Sequence, residues 1–265
     1  TDGVPTLCVE ELVAPRDEEE LHGTLLGWVA APVATVLCVD SPLGWPADLG
    51  EQLTSHVAGA ELAGEPNELF RRLTDRDIHR RLNKTPLDVG ADRIARTAHR
   101  TLARLARVGA AAVRAATESR DMSGVGPLDI AVPLTRTELV HIGVHTSTTA
   151  RPPVFLLETY PAGWCASERV DTRGYRPPAA TERRSALWEK IVAVSGRARF
   201  PELRVEGGIP VEAICRRADE LDRILCLLVG AEALLGRAPG AQDIYGDEHV
   251  PRIRREGWIW CKSPQ

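Results

Sequence analysis

Two short apolar runs in the chain end in the same way, with an acidic residue and then a proline-marked turn. Residues 34–39 end at Asp40 and lead into Ser-Pro-Leu-Gly-Trp-Pro, and residues 154–157 end at Glu158 and lead into Thr-Tyr-Pro. Short apolar runs closed by Gly and Pro are typical of buried strands. We therefore predict two central strands, each with a carboxylate at the end where open α/β sheets bind ligands. A cap for the following turn is the other interpretation of Asp40.

The periodicity elsewhere predicts helices between these strands. Residues 6–13 are predicted to form a further strand, so strand, helix and strand follow one another as in an α/β sheet. The predicted helical segments are residues 17–28, with Asp17 as the cap, and residues 47–120, 185–194 and 211–235. The segment 47–120 is expected to be a helical insertion after the Asp40 strand. Residues 165–185, rich in Arg and Pro, are predicted to form an exposed loop.

The clearest helix is predicted for residues 92–114, where arginines recur on one face and apolar residues on another. The arginines are Arg93, Arg96, Arg100, Arg104, Arg107 and Arg114. Such a stripe has two interpretations. It is either the solvated outer face of an ordinary helix or a surface that follows a phosphate backbone and displaces its counterions.

Composition changes this picture through charge. The chain has 265 residues, 43% hydrophobic residues and a net charge of −4, which predicts one domain spanning 1–265 with a substantial core. Residues 1–70 contain thirteen Asp or Glu and one Arg, whereas residues 71–114 contain twelve Arg or Lys and four Asp. A basic block inside an acidic chain suggests an anionic partner. No segment approaches the roughly eighteen uninterrupted apolar residues of a membrane span, so no membrane partner is expected.

Six cysteines occur in the chain without any Cys-x-x-Cys pair. Cys38 lies in an apolar strand and Cys226 in an apolar helix, which favours buried reduced thiols over a disulfide framework. We therefore expect a cytoplasmic protein.

Acidic residues beside apolar structure are the candidate chemistry. They are Asp40, Glu158 and the pair Asp219 and Asp222, one turn apart on a predicted buried helix. Carboxylates near a core repel one another and are costly to desolvate, and a hard divalent cation removes that conflict. Mg²⁺ is commonly held by one or two carboxylates with water and phosphate oxygens, and two such ions serve phosphodiester cleavage. Caps and surface ion pairs are the alternative for each acid.

These acids lie within a set of motifs that resembles the DUF429 family of predicted nucleases with a ribonuclease H-like fold. The segments are Val-Asp-Ser-Pro-Leu-Gly-Trp-Pro at 39–46, Arg-Leu-Thr-Asp-Arg at 72–76, Asp-Arg-Ile-Ala at 92–95, Glu-Thr-Tyr-Pro-Ala at 158–162, Asp-Glu-Leu-Asp at 219–222 and Glu-Gly-Trp-Ile-Trp at 256–260. The resemblance implies a mixed sheet flanked by helices, with a metal-dependent site at its carboxyl edge. It further implies Asp40 and Asp222 as metal ligands and Glu158 as a neighbour of the site.

Two departures from the family pattern bear on activity. Members usually open with a strand bearing Gly-Ile-Asp, whose Asp is a central ligand, and the chain begins after that point, so the first strand is expected to be missing from it. The residue after Asp222 is usually Ala, and here it is Arg223. A cation beside the site would weaken metal binding or contact phosphate.

The leading sequence-based hypothesis is a Mg²⁺- or Mn²⁺-dependent nuclease acting on nucleic acid. Asp40, Glu158 and Asp222 are the predicted catalytic residues, and Asp219 is a further predicted metal ligand. The predicted substrate contacts are Arg72, Thr74, Arg76, Arg93, Arg96 and Arg100. For the motif at 72–76, a helix-capping and ion-pair cluster in which Asp75 orients an arginine is the alternative interpretation.

Two alternatives to the nuclease hypothesis stay open, and the C-terminal tryptophans also have two interpretations. The same fold could carry a non-catalytic module that binds nucleic acid or protein. It could also carry small-molecule nucleotide or phosphate chemistry, although the chain has no Walker-type loop, Rossmann glycine motif or nucleophile elbow. Trp258 and Trp260 are predicted to close the core, with base stacking as the alternative.

Overall fold

The computed structural model describes residues 6–118, 130–139, 152–195, 202–205 and 209–264, in which strands and helices alternate. The strands are β1 (Thr6–Val9), β2 (Thr35–Val39), β3 (Ile130–Ala131), β4 (Val154–Thr159), β5 (Glu202–Val205) and β6 (Ile259–Trp260). Helices before β4 include α1 (Glu18–Val29), α2 (Ala47–Leu53), α3 (Pro66–Leu69), α4 (Leu73–Leu82) and α5 (Ile94–Glu118). Those after β4 include α6 (Pro161–Ser167), α7 (Thr181–Ser195), α8 (Val211–Cys215), α9 (Ala218–Leu234), α10 (Ala241–Tyr245) and α11 (Val250–Glu256).

The strands form parallel sheets. β2 and β4 pair along their length, with Val39 opposite Glu158. The other edge of β4 pairs with β3 at its start and with β6 at its end, and β1 pairs with β5 separately. Every strand pair among the described residues is parallel, so the mixed sheet that was expected is not what they form. Parallel neighbours need crossover connections, which the helices between the strands supply.

Alternate residues of the two central strands face different cores. Leu37 and Leu156 pack with α5 residues such as Val108, whereas Leu157 packs with residues of α6, α7 and α9. Successive side chains of a strand point to opposite faces, so each face of the sheet is covered by helices. The α/β class predicted from the sequence is confirmed.

The predicted helical segment between β2 and β3 contains α2, α3, α4 and α5. In α5 the side chains of Ala98, Val108 and Ala112 are buried, and the arginine face is turned outward. The predicted cap at Asp17 is also present, since its Oδ1 accepts a hydrogen bond of 2.9 Å from the backbone N–H of Glu20. Within the described residues no helix has the length and apolarity needed to span a membrane.

Several predicted boundaries are wrong. The strand predicted at residues 6–13 ends at Val9. The strand at residue 154 continues through Glu158 to Thr159, and α6 begins two residues later, because Pro161 is accommodated in the first helical turn. The expected loop at 165–185 is therefore bounded by α6 and α7 and is shorter. The expected helix at 211–235 is divided into α8 and α9 at Arg217, whose backbone is extended.

The C-terminal segment closes the larger core. Trp258 and Trp260 are each 1% exposed, and their indole N–H groups donate to the carbonyls of Pro239 and Pro133 at 3.1 and 3.3 Å. Their burial confirms the core-closing interpretation and leaves neither ring accessible for stacking on a base. All six cysteines are free thiols, as the cysteine pattern predicted.

Candidate metal-binding active site

Asp40 lies directly after β2, at the carboxyl edge of the sheet, and its side chain is exposed. The turn that follows it is fixed from within, because the backbone N–H of Leu43 donates to Glu158 Oε2 at 3.0 Å. Gly44 continues the turn at a point where a Cβ would lie 2.3 Å from the carbonyl oxygen of Arg255. A rigid turn therefore holds Asp40 at the edge of a cavity of about 500 Å³ that its side chain helps to line.

Asp222 reaches the same edge from α9. This helix packs directly on β2, since a Cβ on Gly230 would lie 2.3 Å from Cys38 Sγ. Asp222 is 7% exposed, and its Oδ1 accepts a hydrogen bond of 2.7 Å from the Tyr175 hydroxyl. Its Oδ2 lies 3.3 Å from an Arg176 guanidinium nitrogen. A glycine contact between helix and strand thus brings together two acids that are distant in the chain.

The charge of Asp222 affects the ionisation of Asp40. Although Asp40 is exposed to solvent at the cavity, the protein atoms crowded around it, followed by the charge of Asp222, raise its pKa to about 6, while Arg176 acts in the opposite direction. Burial also raises the pKa of Asp222, although the Tyr175 hydrogen bond and Arg176 oppose the rise. Removing acids from water disfavours their charged form, and a like charge adds to the effect. The two acids thus form a site that a further cation, in addition to Arg176, would stabilise.

Asp219 and Glu158 surround this pair in different ways. Asp219 is exposed in the first turn of α9, and its charge raises the pKa of both Asp40 and Asp222. Glu158 is 3% exposed and is bound on both carboxylate oxygens by Arg72, at 2.7 and 2.9 Å. This pairing gives Glu158 a structural role at the base of the site, and its catalytic role stays a prediction.

Arg72 is also buried, although it is among the residues that line the cavity. Its side chain is 1% exposed, and it binds Asp75 as well as Glu158, with Nη2 to Asp75 Oδ1 at 2.9 Å. Burial alone would lower the pKa of Arg72, but the carboxylates of Glu158 and Asp75 raise it overall. Thr74 is likewise 1% exposed and accepts a hydrogen bond of 2.8 Å from the backbone N–H of Ile259. Thr74 is not among the residues that line the cavity, whereas Arg72 lines it with a guanidinium that already binds two carboxylates.

The other predicted substrate-binding arginines occupy two different places. Arg76 is half-buried on α4, where its charge acts on Tyr245 of α10 rather than on the acids. Arg93, Arg96 and Arg100 are exposed at and near the start of α5. The same end of α5 borders the cavity through Ile94.

A family model described as a protein of unknown function (DUF429) matches residues 7–249, which is most of the chain. The chain belongs to the DUF429 family. The motif at 256–260 lies beyond the matched range. No curated protein and no solved structure matches this DUF429 chain.

Four of the motifs that carried the resemblance meet around Arg72 in the folded DUF429 protein. Arg72 Nη1 donates to the carbonyl oxygen of Glu256 at 3.0 Å, and the Glu256 carboxylate accepts from the backbone N–H groups of Ala47 and Leu73 at 2.9 and 2.7 Å. Gly257 follows with φ +82°, a conformation that favours glycine. The motifs therefore form one buried framework that holds the turn after Asp40 in place.

Asp40 and Asp222 are the two carboxylates that this DUF429 site offers to a cation. The described residues contain no group of three or more His, Cys, Asp or Glu side chains placed to hold a metal. Asp40 and Asp222 provide two carboxylates, which is the protein share that Mg²⁺ commonly takes beside water and phosphate. Arg223 does not contribute a charge to this pair, because it donates to Glu220 Oε2 and to the carbonyl of Val13, both at 2.7 Å.

Sequence reasoning missed Tyr175 and Arg176. Both belong to the segment 168–180, which was interpreted only as an exposed loop, and yet Tyr175 is 5% exposed and Arg176 is paired with Asp222. The one sequence signal was an aromatic residue beside an arginine in an otherwise polar segment, in a chain with three tyrosines.

Proposed function

We propose that this DUF429 protein is a metal-dependent phosphodiesterase of the ribonuclease H-like type that acts on nucleic acid. The observation that carries the proposal is the electrostatic coupling of Asp40 and Asp222 at the carboxyl edge of parallel strands. Ligand sites of open α/β sheets lie at this edge. Strongly perturbed acids beside a cavity are candidates for function.

Each residue of the site has a role in this proposal. Asp40 and Asp222 hold a Mg²⁺ or Mn²⁺ ion, and Asp219 adds negative charge beside them. When bound, the ion supplies an activated water and charge stabilisation for the leaving oxygen. Tyr175 orients Asp222 by donating to its Oδ1. Glu158, bound to Arg72, positions the turn that carries Asp40.

The exposed arginines of α5 form the surface that would bind the substrate. Arg93, Arg96 and Arg100 lie next to the end of α5 that borders the cavity. Arginines bind phosphate through charge-assisted hydrogen bonds. A nucleic acid strand with a phosphate at Asp40 would be held further along by this face.

A non-catalytic nucleic-acid-binding module is the second candidate, and one observation favours it. Arg176 already places a positive charge 3.3 Å from Asp222 Oδ2. The charge of this acid is therefore balanced without a metal ion, as suits a protein that binds nucleic acid without cleaving it. This candidate retains binding through α5 and has no requirement for a divalent ion.

Substitution of Asp40 by Asn distinguishes the two candidates. The variant keeps the side-chain shape and removes the charge, so we expect cleavage of labelled DNA or RNA in Mn²⁺ to fall by about 10³-fold, as loss of several kcal/mol of charge stabilisation requires. Glu61→Gln, which removes an exposed acid in the loop before α3, is the matched control and should cut at the wild-type rate. Cleavage by Asp40→Asn at the wild-type rate would show that the assignment is wrong.

A further inference from the structure

The cavity beside Asp40 combines charged groups with a large apolar wall. The charged residues of the lining are Asp40 and Arg176 together with Arg72 and Glu158, which are paired with each other. The apolar part of the lining includes Pro42, Pro86, Leu87, Ile94, Tyr160 and Ile259. Binding a phosphate backbone requires cations and hydrogen-bond donors and no apolar surface. The wall is therefore unexplained by phosphodiester contact alone.

The size of the cavity matches a small ligand. Its volume of about 500 Å³ falls within the range of roughly 300–1,000 Å³ that is usual for small-molecule sites. That space is suited to one nucleotide and is too small for a stretch of double helix, whose major groove alone is about 12 Å wide.

The apolar wall is held in place by its surroundings. The Tyr160 ring lies against Gly163 of α6, where a Cβ would be 2.6 Å from the ring carbon Cδ1, so only glycine leaves room for the ring in this position. Pro86 is buried, whereas Leu87 beside it is 57% exposed. An aliphatic side chain left this accessible on a cavity wall is available to a ligand. Nucleobases stack on aromatic side chains and pack on apolar ones with little sequence preference.

We propose that this cavity holds one unstacked nucleotide, with its base against Leu87, Ile94 and Tyr160, so that the substrate is single-stranded nucleic acid. The inference rests on the proposed function for the position of the phosphate at Asp40. A base inside a duplex is stacked on both neighbours and enters such a cavity only after it has been extruded, which costs a few kcal/mol. A single strand avoids that cost.

Calorimetric titration of the full chain in Mg²⁺ tests the proposal with three probes. These are a nucleoside 5′-monophosphate, ribose 5-phosphate and inorganic phosphate, none of which contains a phosphodiester to cleave. We expect the nucleotide to bind at least about tenfold more tightly than ribose 5-phosphate, as one stacked base provides. Equal binding of the two probes would overturn the proposal.

Leu87→Ser and Leu53→Ser form a matched pair for this titration, because Leu53 is 51% exposed and is not part of the cavity lining. Leu87→Ser should weaken nucleotide binding about fivefold, the equivalent of losing roughly half of a buried leucine, and leave ribose 5-phosphate binding unchanged. Leu53→Ser should change neither. Identical nucleotide affinities in the two variants would show that the base does not lie on this wall.

The outcomes separate this inference from the proposed function. Asp40-dependent cleavage of polynucleotides with no preference for the nucleotide over ribose 5-phosphate would refute the cavity proposal alone. Nucleotide binding that depends on Leu87, in a protein that cleaves no phosphodiester, would confirm the cavity and refute the phosphodiesterase.

Discussion

Asp40 is a residue whose charge destabilises the folded chain in the absence of a cation. Its side chain is exposed to the cavity, but surrounding protein and the carboxylate of Asp222 raise its pKa from the ordinary 3.8 to about 6. A folded-state pKa above the unfolded one means that folding favours the protonated acid. Stability therefore falls as the pH rises from about 4 to about 6, and the loss is complete above that range.

We accordingly expect Asp40→Asn to be more stable than the wild type above about pH 6 in metal-free buffer. Allowing for solvent screening of an exposed group, the gain is about 1 kcal/mol, or roughly 2–4 °C in Tm for a chain of this size. The gain should disappear below about pH 4, where the acid is protonated in both states. Thermal melts from acid to neutral pH check this, and a variant that melts with the wild type at every pH would contradict it.

Arg176 occupies the place of a cation at the second acid. Its side chain is 61% exposed, its guanidinium lies 3.3 Å from Asp222 Oδ2, and its charge lowers the pKa of Asp40 as well. A divalent ion bound by both acids would have to displace this group or share the carboxylates with it. Arg176 is therefore a competitor for the ion within the protein itself.

Arg176→Met keeps the apolar stem and removes the competing charge, so we expect it to bind Mn²⁺ about tenfold more tightly, which corresponds to about 1.4 kcal/mol. Calorimetric titration measures the affinity directly. Arg173→Met is the control, since Arg173 lies in the same loop, is 89% exposed and pairs with Asp171 instead. Unchanged or weaker Mn²⁺ binding by the Arg176 variant would mean that this arginine does not compete.

At the scale of elements, the buried Arg72 framework joins parts of the chain that share no sequence neighbourhood. Arg72 lies at the start of α4, Glu158 lies near the end of β4, and Glu256 ends α11. The turn after β2 is attached to the same group through Leu43. The position of Asp40 thus depends on a charged cluster that is itself hidden from solvent.

Arg72→Met should lower the free energy of unfolding by about 3–5 kcal/mol, because it leaves the buried carboxylates of Glu158 and Asp75 without their partner. Urea unfolding measures the loss. Arg80→Met is the matched control on the same helix, since Arg80 is 62% exposed and its pair with Asp77 should contribute less than about 1 kcal/mol. Equal losses in the two variants would show that the framework is not the stabilising element.

The same elements show what sequence alone could predict. The strand before Asp40 and the helix that carries Asp222 follow from local apolar runs, and their positions in the chain were predicted well. The pairing of Arg72 with Asp75 was within reach of the sequence, because the two residues are three apart in one motif. Its contacts with Glu158 and Glu256 were not predicted, because arginine is rarely fully buried unless it is paired and these partners come from distant segments. The contact of Arg176 with Asp222 depends on the course of a loop, which no periodicity encodes.

The whole molecule separates its charges between neighbouring helices. The acidic first 70 residues and the basic block at 71–114 meet where α1 packs against α5, and Glu18 binds Arg104 and lies 3.9 Å from Arg107. Arg104 and Arg107, in the middle of the arginine stripe, are thus paired within the protein. Within the part of the chain that the structure describes, the exposed side chains of Arg96 and Arg100, nearer the cavity, form no hydrogen bond or ion pair.

If α5 follows a nucleic acid backbone, the paired and unpaired arginines should differ in their effect on salt dependence. Each phosphate contact contributes about 0.7–0.9 to the slope of log affinity against log salt concentration. Arg96→Gln and Arg100→Gln should each weaken binding and reduce the slope by about that amount, whereas Arg104→Gln should reduce it less, because Glu18 already holds Arg104. Fluorescence anisotropy with a labelled strand, in metal-free buffer between about 50 and 200 mM salt, measures both quantities. Slopes that stay at the wild-type value in the Arg96 and Arg100 variants would return the stripe to its simpler interpretation as the solvated face of a helix.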